Sequence, residues 1–150
     1  MKKQSPTNIP IQERLGFLMQ RTAGAMRNHM HRLIQSKSPD LSFEQWMALN
    51  WLVSHEQACQ KEMAQAMDRD KANITRIVIG LEKKGLIQRT SDEKDGRMLR
   101  AGLTDQGREL MGRLMPPVLE EYQLLLEGLT DEELQVAKKV LNHLFVKLKQ

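Results

Sequence analysis

The sequence predicts a mainly α-helical chain that carries one small β-hairpin, and three observations lead there. Apolar residues recur at three- and four-residue steps over most of its length. Capping signals at Ser42, Asp70 and Thr130 punctuate those stripes. Only over residues 86–103 does the period change, where two short β-compatible runs flank a charged tip.

The elements follow in order. A first helix is expected over residues 11–35, with Leu15, Leu18, Met19, Met26, Met30 and Leu33 on its apolar face. Ser38-Pro39-Asp40 stops it. Ser42 lies three residues before Gln45, a capping-box spacing, and Trp46, Leu49, Leu52 and Val53 continue as a second helix. Residues 55–58 read as a polar connection. A short third helix, residues 60–67, turns Met63, Ala64 and Met67 inward. After Asp68-Arg69, Asp70 caps a fourth helix through Lys84, whose Ile74, Ile77, Val78 and Leu81 fall at i, i+3, i+4 and i+7. Gly85 closes it behind Lys83 and Lys84, which sit at the negative end of the helix dipole.

Residues 86–90 and 98–103 are the hairpin strands, and Asp95-Gly96 reads as a two-residue turn whose glycine supplies a positive φ. Beyond Thr104 a fifth stripe runs over residues 110–126, with Pro116-Pro117 expected to kink or interrupt it. Thr130 and Glu133 form another capping box, and Leu134, Ala137, Leu141, Leu144 and Leu148 make a heptad-like seam. A small domain has little to bury against two terminal stripes at once. Residues 11–36 and 105–150 are therefore expected to pack against a second copy of the chain.

At 150 residues one domain is the natural reading. No apolar run approaches the ~20 residues of a membrane span, and the opening MKKQSPTNIP lacks the apolar core of a secretory signal. A lone Cys59 excludes an internal disulfide framework and fits a reducing cytosol, so a soluble cytoplasmic protein is expected. The net charge is +4, distributed as +5 over residues 1–40, −2 over 41–59, +3 over 60–104 and −2 over 105–150. A basic start and middle suit a face that meets a polyanion, though an ordinary solvated surface has the same charge. No phosphate loop, nucleophile elbow or paired-carboxylate arrangement points to catalysis. The four histidines lack metal-ligand spacing. Neither enzyme activity, nor a cofactor, nor a metal is expected.

Residues 60–84 form two helices joined by a tight turn, and a hairpin over residues 86–104 follows the second directly. That is a winged helix–turn–helix, spanning residues 41–104 with its supporting helix. In such a unit the second helix enters the major groove of double-stranded DNA with its N-terminal residues toward base edges. The core stripe leaves Lys71, Ala72, Asn73, Thr75 and Arg76 facing outward. Asn pairs bidentately with adenine, Arg with guanine, and Thr touches a thymine methyl. Gln60 and Lys71 join Asn73, Thr75 and Arg76 as DNA contacts. At the hairpin tip Arg97 would probe the minor groove and Lys94 a phosphate. Asp92 and Asp95 are expected to orient the wing by pairing with Arg97 or Arg89, with a solvated loop as the alternative.

In this order and at these spacings, the fragments resemble the MarR family over nearly the whole chain. They are Leu41-Ser42-x-x-Gln45-Trp46-x-x-Leu49, Gln60-Lys61-Glu62-Met63-Ala64, Asp70-Lys71-Ala72-Asn73-Ile74-Thr75-Arg76, Leu81-Glu82-Lys83-Lys84-Gly85-Leu86-Ile87-x-Arg89, Asp92-x-x-Asp95-x-Arg97 and Leu103-Thr104-x-x-Gly107. The resemblance implies a homodimer on a palindromic operator, usually a repressor, released by a small aromatic or phenolic ligand or by an oxidant. It assigns base reading to Asn73, Thr75 and Arg76, the wing contact to Arg97, and its orientation to Asp95. Gly96 departs from the family, which often has a basic residue there. So do Gly80, inside the recognition helix, and Cys59, where Ser or Thr commonly caps the third helix.

Other readings stay open. Cys59 at a helix N-terminus is either a redox-sensitive thiol or an inert small residue. Met19, Met26, Met30 and Met47 are either core or the lining of a ligand pocket. The chain as a whole could coat DNA with little sequence choice, or be a ligand-binding helical dimer without DNA function.

Overall fold

The structure, a computed structural model, describes residues 9–149. The opening stretch with Lys2 and Lys3, on which the expectation of no secretory signal rests, lies largely outside the described residues. The chain divides into two compact units, one ending at Val118 and the other beginning at Leu119.

In the first unit a 3-10 turn, Ile11–Glu13, precedes α1, Leu15–Lys37. Then come α2, Phe43–Val53; β1, Ala58–Cys59; α3, Gln60–Met67; α4, Lys71–Lys83; β2, Ile87–Ser91; β3, Leu99–Leu103; and α5, Asp105–Leu125, which crosses the boundary between units. None of the described helices is long and apolar enough to cross a membrane. The core gathers Trp46, Leu49 and Leu52 of α2, Met63 of α3, and Ile74, Ile77, Val78 and Leu81 of α4, all buried. From α1 the buried residues are Met30 and Ile34 rather than Leu33, and Val53 is 48% exposed rather than core.

Local chemistry explains the element ends. The α2 capping box forms as expected, with Gln45 N donating to Ser42 Oγ and Ser42 N to Gln45 Oε1. Asp68 takes the left-handed conformation at φ 49°, which lets Arg69 N reach back to Ala64 O at 3.0 Å and makes the helix–turn–helix turn tight. Asp70 Oδ1 accepts from Asn73 N at 2.7 Å and so caps α4. Gly85, at φ +69°, ends α4 in a Schellman motif, with Leu86 N on Leu81 O at 3.0 Å and Gly85 N on Glu82 O at 2.9 Å. Gly80 lies against the Gln45 side-chain amide where α2 passes α4.

Three expectations are corrected. The sheet has three antiparallel strands in the order β1-β3-β2, not two, because Ala58 and Cys59 pair with Ala101 and Arg100. Two buried residues at the end of a polar stretch are too short a run to show a period. The hairpin tip is not a two-residue turn, and Gly96 is not among the glycines of positive φ. Instead residues 92–98 form a wide loop, closed by Asp92 N on Met98 O at 2.8 Å and tightened by Met98 N on Asp95 O at 2.9 Å. Finally, of the two outcomes expected at Pro116-Pro117, a kink or an interruption, the interruption does not occur, since both prolines lie inside the single helix α5. The carbonyls they leave without a donor belong to Gly112 and Arg113, both exposed, where water can serve them.

The second unit holds the end of α5 and α6, Asp131–Leu148. Gly128 between them has φ +86°, and Thr130 with Glu133 makes the expected capping box. Along α6, Val136, Val140, Leu141, Phe145, Val146 and Leu148 are all exposed.

Candidate nucleic-acid interface

The head of α4 is fixed before any ligand arrives. The Asp70 cap holds its first turn, and Thr75 Oγ1 lies 3.0 Å from Gln60 Oε1 and 2.9 Å from Lys71 O, which links α4 to the first residue of α3. Lys71 and Arg76 are exposed, and Asn73 and Thr75 are half-buried. Thr75 therefore spends its hydroxyl inside the protein and offers mainly its methyl outward.

Two clefts gather most of the expected contacts. One, of about 480 Å³, is lined by Asn73, Arg76 and Ile77 of α4 together with Arg27, Ser42, Glu44, Gln45 and Arg69. Within it Arg27 pairs with Glu44 and stands 5.3 Å over the Phe43 ring, tying α1 to α2. Burial pushes the Glu44 carboxyl up, but its own backbone N–H and Arg27 outweigh that and hold it below its ordinary value. The other cleft, of about 380 Å³, joins Gln60, Lys61 and Lys71 to Arg97, Met98 and Leu99 of the wing, with Cys59 alongside. Cys59 is buried, precedes α3, and its N–H donates to Glu62 Oε2 at 2.7 Å. Lys94 is exposed on the tip and lines neither cleft.

The wing charges are arranged differently from expectation. Neither Asp92 nor Asp95 holds the Arg97 guanidinium. Asp92 instead pairs with Arg100, and Arg89 pairs with Glu82, its Nη2 at 2.6 Å from Oε2. Strand geometry is the reason. Asp92 stands opposite Met98 in the extended ladder, which makes Arg100 its diagonal neighbour on the same face. Asp92 Oδ1 also accepts from Lys94 N at 2.7 Å and Asp95 N at 3.0 Å, and Asp95 Oδ1 accepts from Arg97 N at 3.1 Å. The two acids thus shape the loop backbone, and Arg97 and Lys94 are left exposed on it.

Sequence reasoning missed Arg100, Arg69 and Arg27. Arg69 was open to discovery, since it sits in the turn just before the recognition helix. Arg100 was not, because the strand that places it beside Cys59 gave no periodic signal.

The chain is 31% identical to the transcriptional repressor MprA of Escherichia coli strain K12, over 91% of this chain and 81% of that protein. The chain belongs to the MarR family. The MarR family model itself matches residues 41–99, the segment from the start of α2 to the wing. The chain is also 25% identical to the HTH-type transcriptional repressor IacR of Pseudomonas putida, over 86% of this chain and 76% of that protein. Among solved structures, Staphylococcus aureus MepR in complex with DNA superposes with a TM-score of 0.80 at 25% identity, covering 90% of this chain and 96% of that one. A MarR family regulator from Silicibacter pomeroyi shares the fold, with a TM-score of 0.81 at 22% identity and 96% coverage of both chains. This MarR family member is a DNA-binding transcriptional regulator with a winged-helix lobe.

Its wing carries a measurable signature. The Arg100 guanidinium, followed by the Lys94 and Asp95 amides, holds the Asp92 carboxyl at about 2, below its ordinary 3.8. A depressed carboxylate contributes above its unfolded value and loses that contribution only as pH falls through the folded one. The loop should therefore keep its shape at pH 4 and open toward pH 2. A carboxyl-carbon NMR titration of Asp92 checks this, and a midpoint near the ordinary value would show that the Arg100 pair does not persist in solution.

Proposed function

We propose that the protein is a cytoplasmic homodimeric repressor that grips a palindromic operator with one winged helix from each copy and lets go when a small aromatic or phenolic molecule binds. The observation that carries the reading is the joining of a DNA-reading lobe to α6, whose apolar residues lie exposed along its length. Such a face is a liability in a monomer and an interface in a dimer. MprA and IacR are named as repressors, and MepR is seen on DNA, which supports the same direction. On this reading Asn73, Thr75 and Arg76 enter the major groove, Gln60, Lys71 and Lys94 meet phosphates, and Arg97 reaches the minor groove.

The test joins sedimentation with DNA selection. The chain should sediment as a dimer, and Val140→Glu with Phe145→Glu should return it to a monomer. Duplexes selected from a random pool should carry inverted half-sites about one helical turn apart. Their affinity should exceed that for unrelated DNA by about 10³-fold or more and fall steeply with salt. Equal binding to all duplexes would instead favour a DNA-coating protein.

A further inference from the structure

Arg100 takes no part in the contacts proposed above, yet it lies at the junction of everything that supports them. It is the residue of β3 paired with Cys59 of β1 on one side and Thr90 of β2 on the other. Its Nε donates to Asp92 Oδ2, and its Nη1 stands 3.7 Å from Glu62 Oε2. Glu62 Oε2 in turn accepts the Cys59 N–H at the start of α3. The free side of the Asp92 carboxylate holds the amides of Lys94 and Asp95, and Asp95 holds that of Arg97. A single guanidinium thus connects the first turn of the helix–turn–helix to the root of the wing loop. The Asp92 side chain is only 10% exposed and that of Arg100 31%, so the pair is shielded from solvent better than a surface ion pair.

We propose that Arg100 is the positioning residue of the wing: clasped between Asp92 and Glu62, it fixes where Arg97 stands relative to α4 without touching DNA. The clasp acts by preorganisation. A loop already held in its bound shape loses less entropy on binding, so affinity rises with no added interaction. The proposal rests on the reading of Arg97 as the groove contact.

Asp92→Asn separates positioning from plain electrostatics. It removes a negative charge, so a purely electrostatic account predicts tighter DNA binding. Asparagine can still accept from the Lys94 and Asp95 amides, but it gives up the charged half of the clasp. The proposal predicts about tenfold weaker binding to a duplex selected by the unaltered protein. In an Arg97→Ala background the same change should cost less than about twofold, since the residue being positioned is gone. Arg100→Gln should behave likewise, and the Asp92→Asn/Arg100→Gln pair should lose no more than either alone. Thermal midpoints of the variants guard against global unfolding, and Arg100→Gln serves if Asp92→Asn proves unstable. Unchanged or tighter binding by Asp92→Asn would overturn the proposal, as would an undiminished loss in the Arg97→Ala background. If Arg97→Ala alone leaves binding unchanged, the wing assignment itself is wrong and the clasp falls with it.

Discussion

Replacing Gly107 with alanine is expected to destabilise the protein by about 3 kcal/mol, the upper end of overpacking costs. Thr104 accepts from Gly107 N at 3.0 Å, so Gly107 occupies the first turn of α5, and Thr104 Oγ1 also donates to Gly85 O at 2.6 Å. Thr104 N donates to Leu86 O at 3.1 Å. These bonds press the start of α5 onto the chain leaving α4. A Cβ on residue 107 would overlap the Leu86 carbonyl oxygen and sit 3.0 Å from its carbon and 3.4 Å from Leu103 Cδ2. Helix propensity alone would favour alanine by about 1 kcal/mol. The obstacle is backbone, which cannot swing aside as a side chain can, so the steric cost wins. Denaturant unfolding with an unchanged m-value checks the size and sign. A variant as stable as the parent would mean that α5 can lift off Leu86 without loss.

Gly107 also marks what the sequence could say and what it could not. Its place in Leu103-Thr104-x-x-Gly107 was readable as part of a family pattern, but the reason for a glycine appears only when α5 lies on Leu86. The same holds along the chain. The caps at Ser42, Asp70 and Thr130 and the stripe Ile74, Ile77, Val78, Leu81 are local signals, set by neighbours within four residues, and they were legible. β1 owes its existence to pairing with residues about forty positions away. Two residues carry too little pattern to announce that. The wing shows both sides: its position after Gly85 was legible, whereas the partner of Asp92 depended on a register no local rule sets. Charge type suggested an acid–arginine pair and ladder geometry chose Arg100. Asp68 is similar, because nothing in its immediate sequence says that an aspartate rather than a glycine takes the left-handed turn ahead of Asp70.

Arg76→Ala is expected to cost about 1–3 kcal/mol on the preferred duplex and to relax selection at one base pair per half-site. The structure narrows which α4 side chains can carry sequence choice. Thr75 commits its hydroxyl to Gln60 and Lys71, so its outward chemistry is a methyl group. Lys71 is a point charge on a flexible stem, better suited to phosphate than to a base edge. Asn73 and Arg76 remain, one turn apart on a helix whose start is pinned by Asp70. Arg76 has a competing role, since it shares a cleft with Arg69, and with Arg27 already paired to Glu44 the other two guanidiniums are left to hold the DNA backbone. The two roles differ in measurable form. If Arg76 reads a base, its truncation leaves non-specific affinity nearly unchanged and flattens the selected sequence at one position. If it grips a phosphate, the same truncation weakens every duplex alike and lowers the salt slope by about one. Selection from a random pool by the variant, with titrations of one fixed duplex at two salt concentrations, distinguishes them. Uniform weakening would move base reading from Arg76 to Asn73 and leave Arg76 to join Arg69 as a backbone clamp.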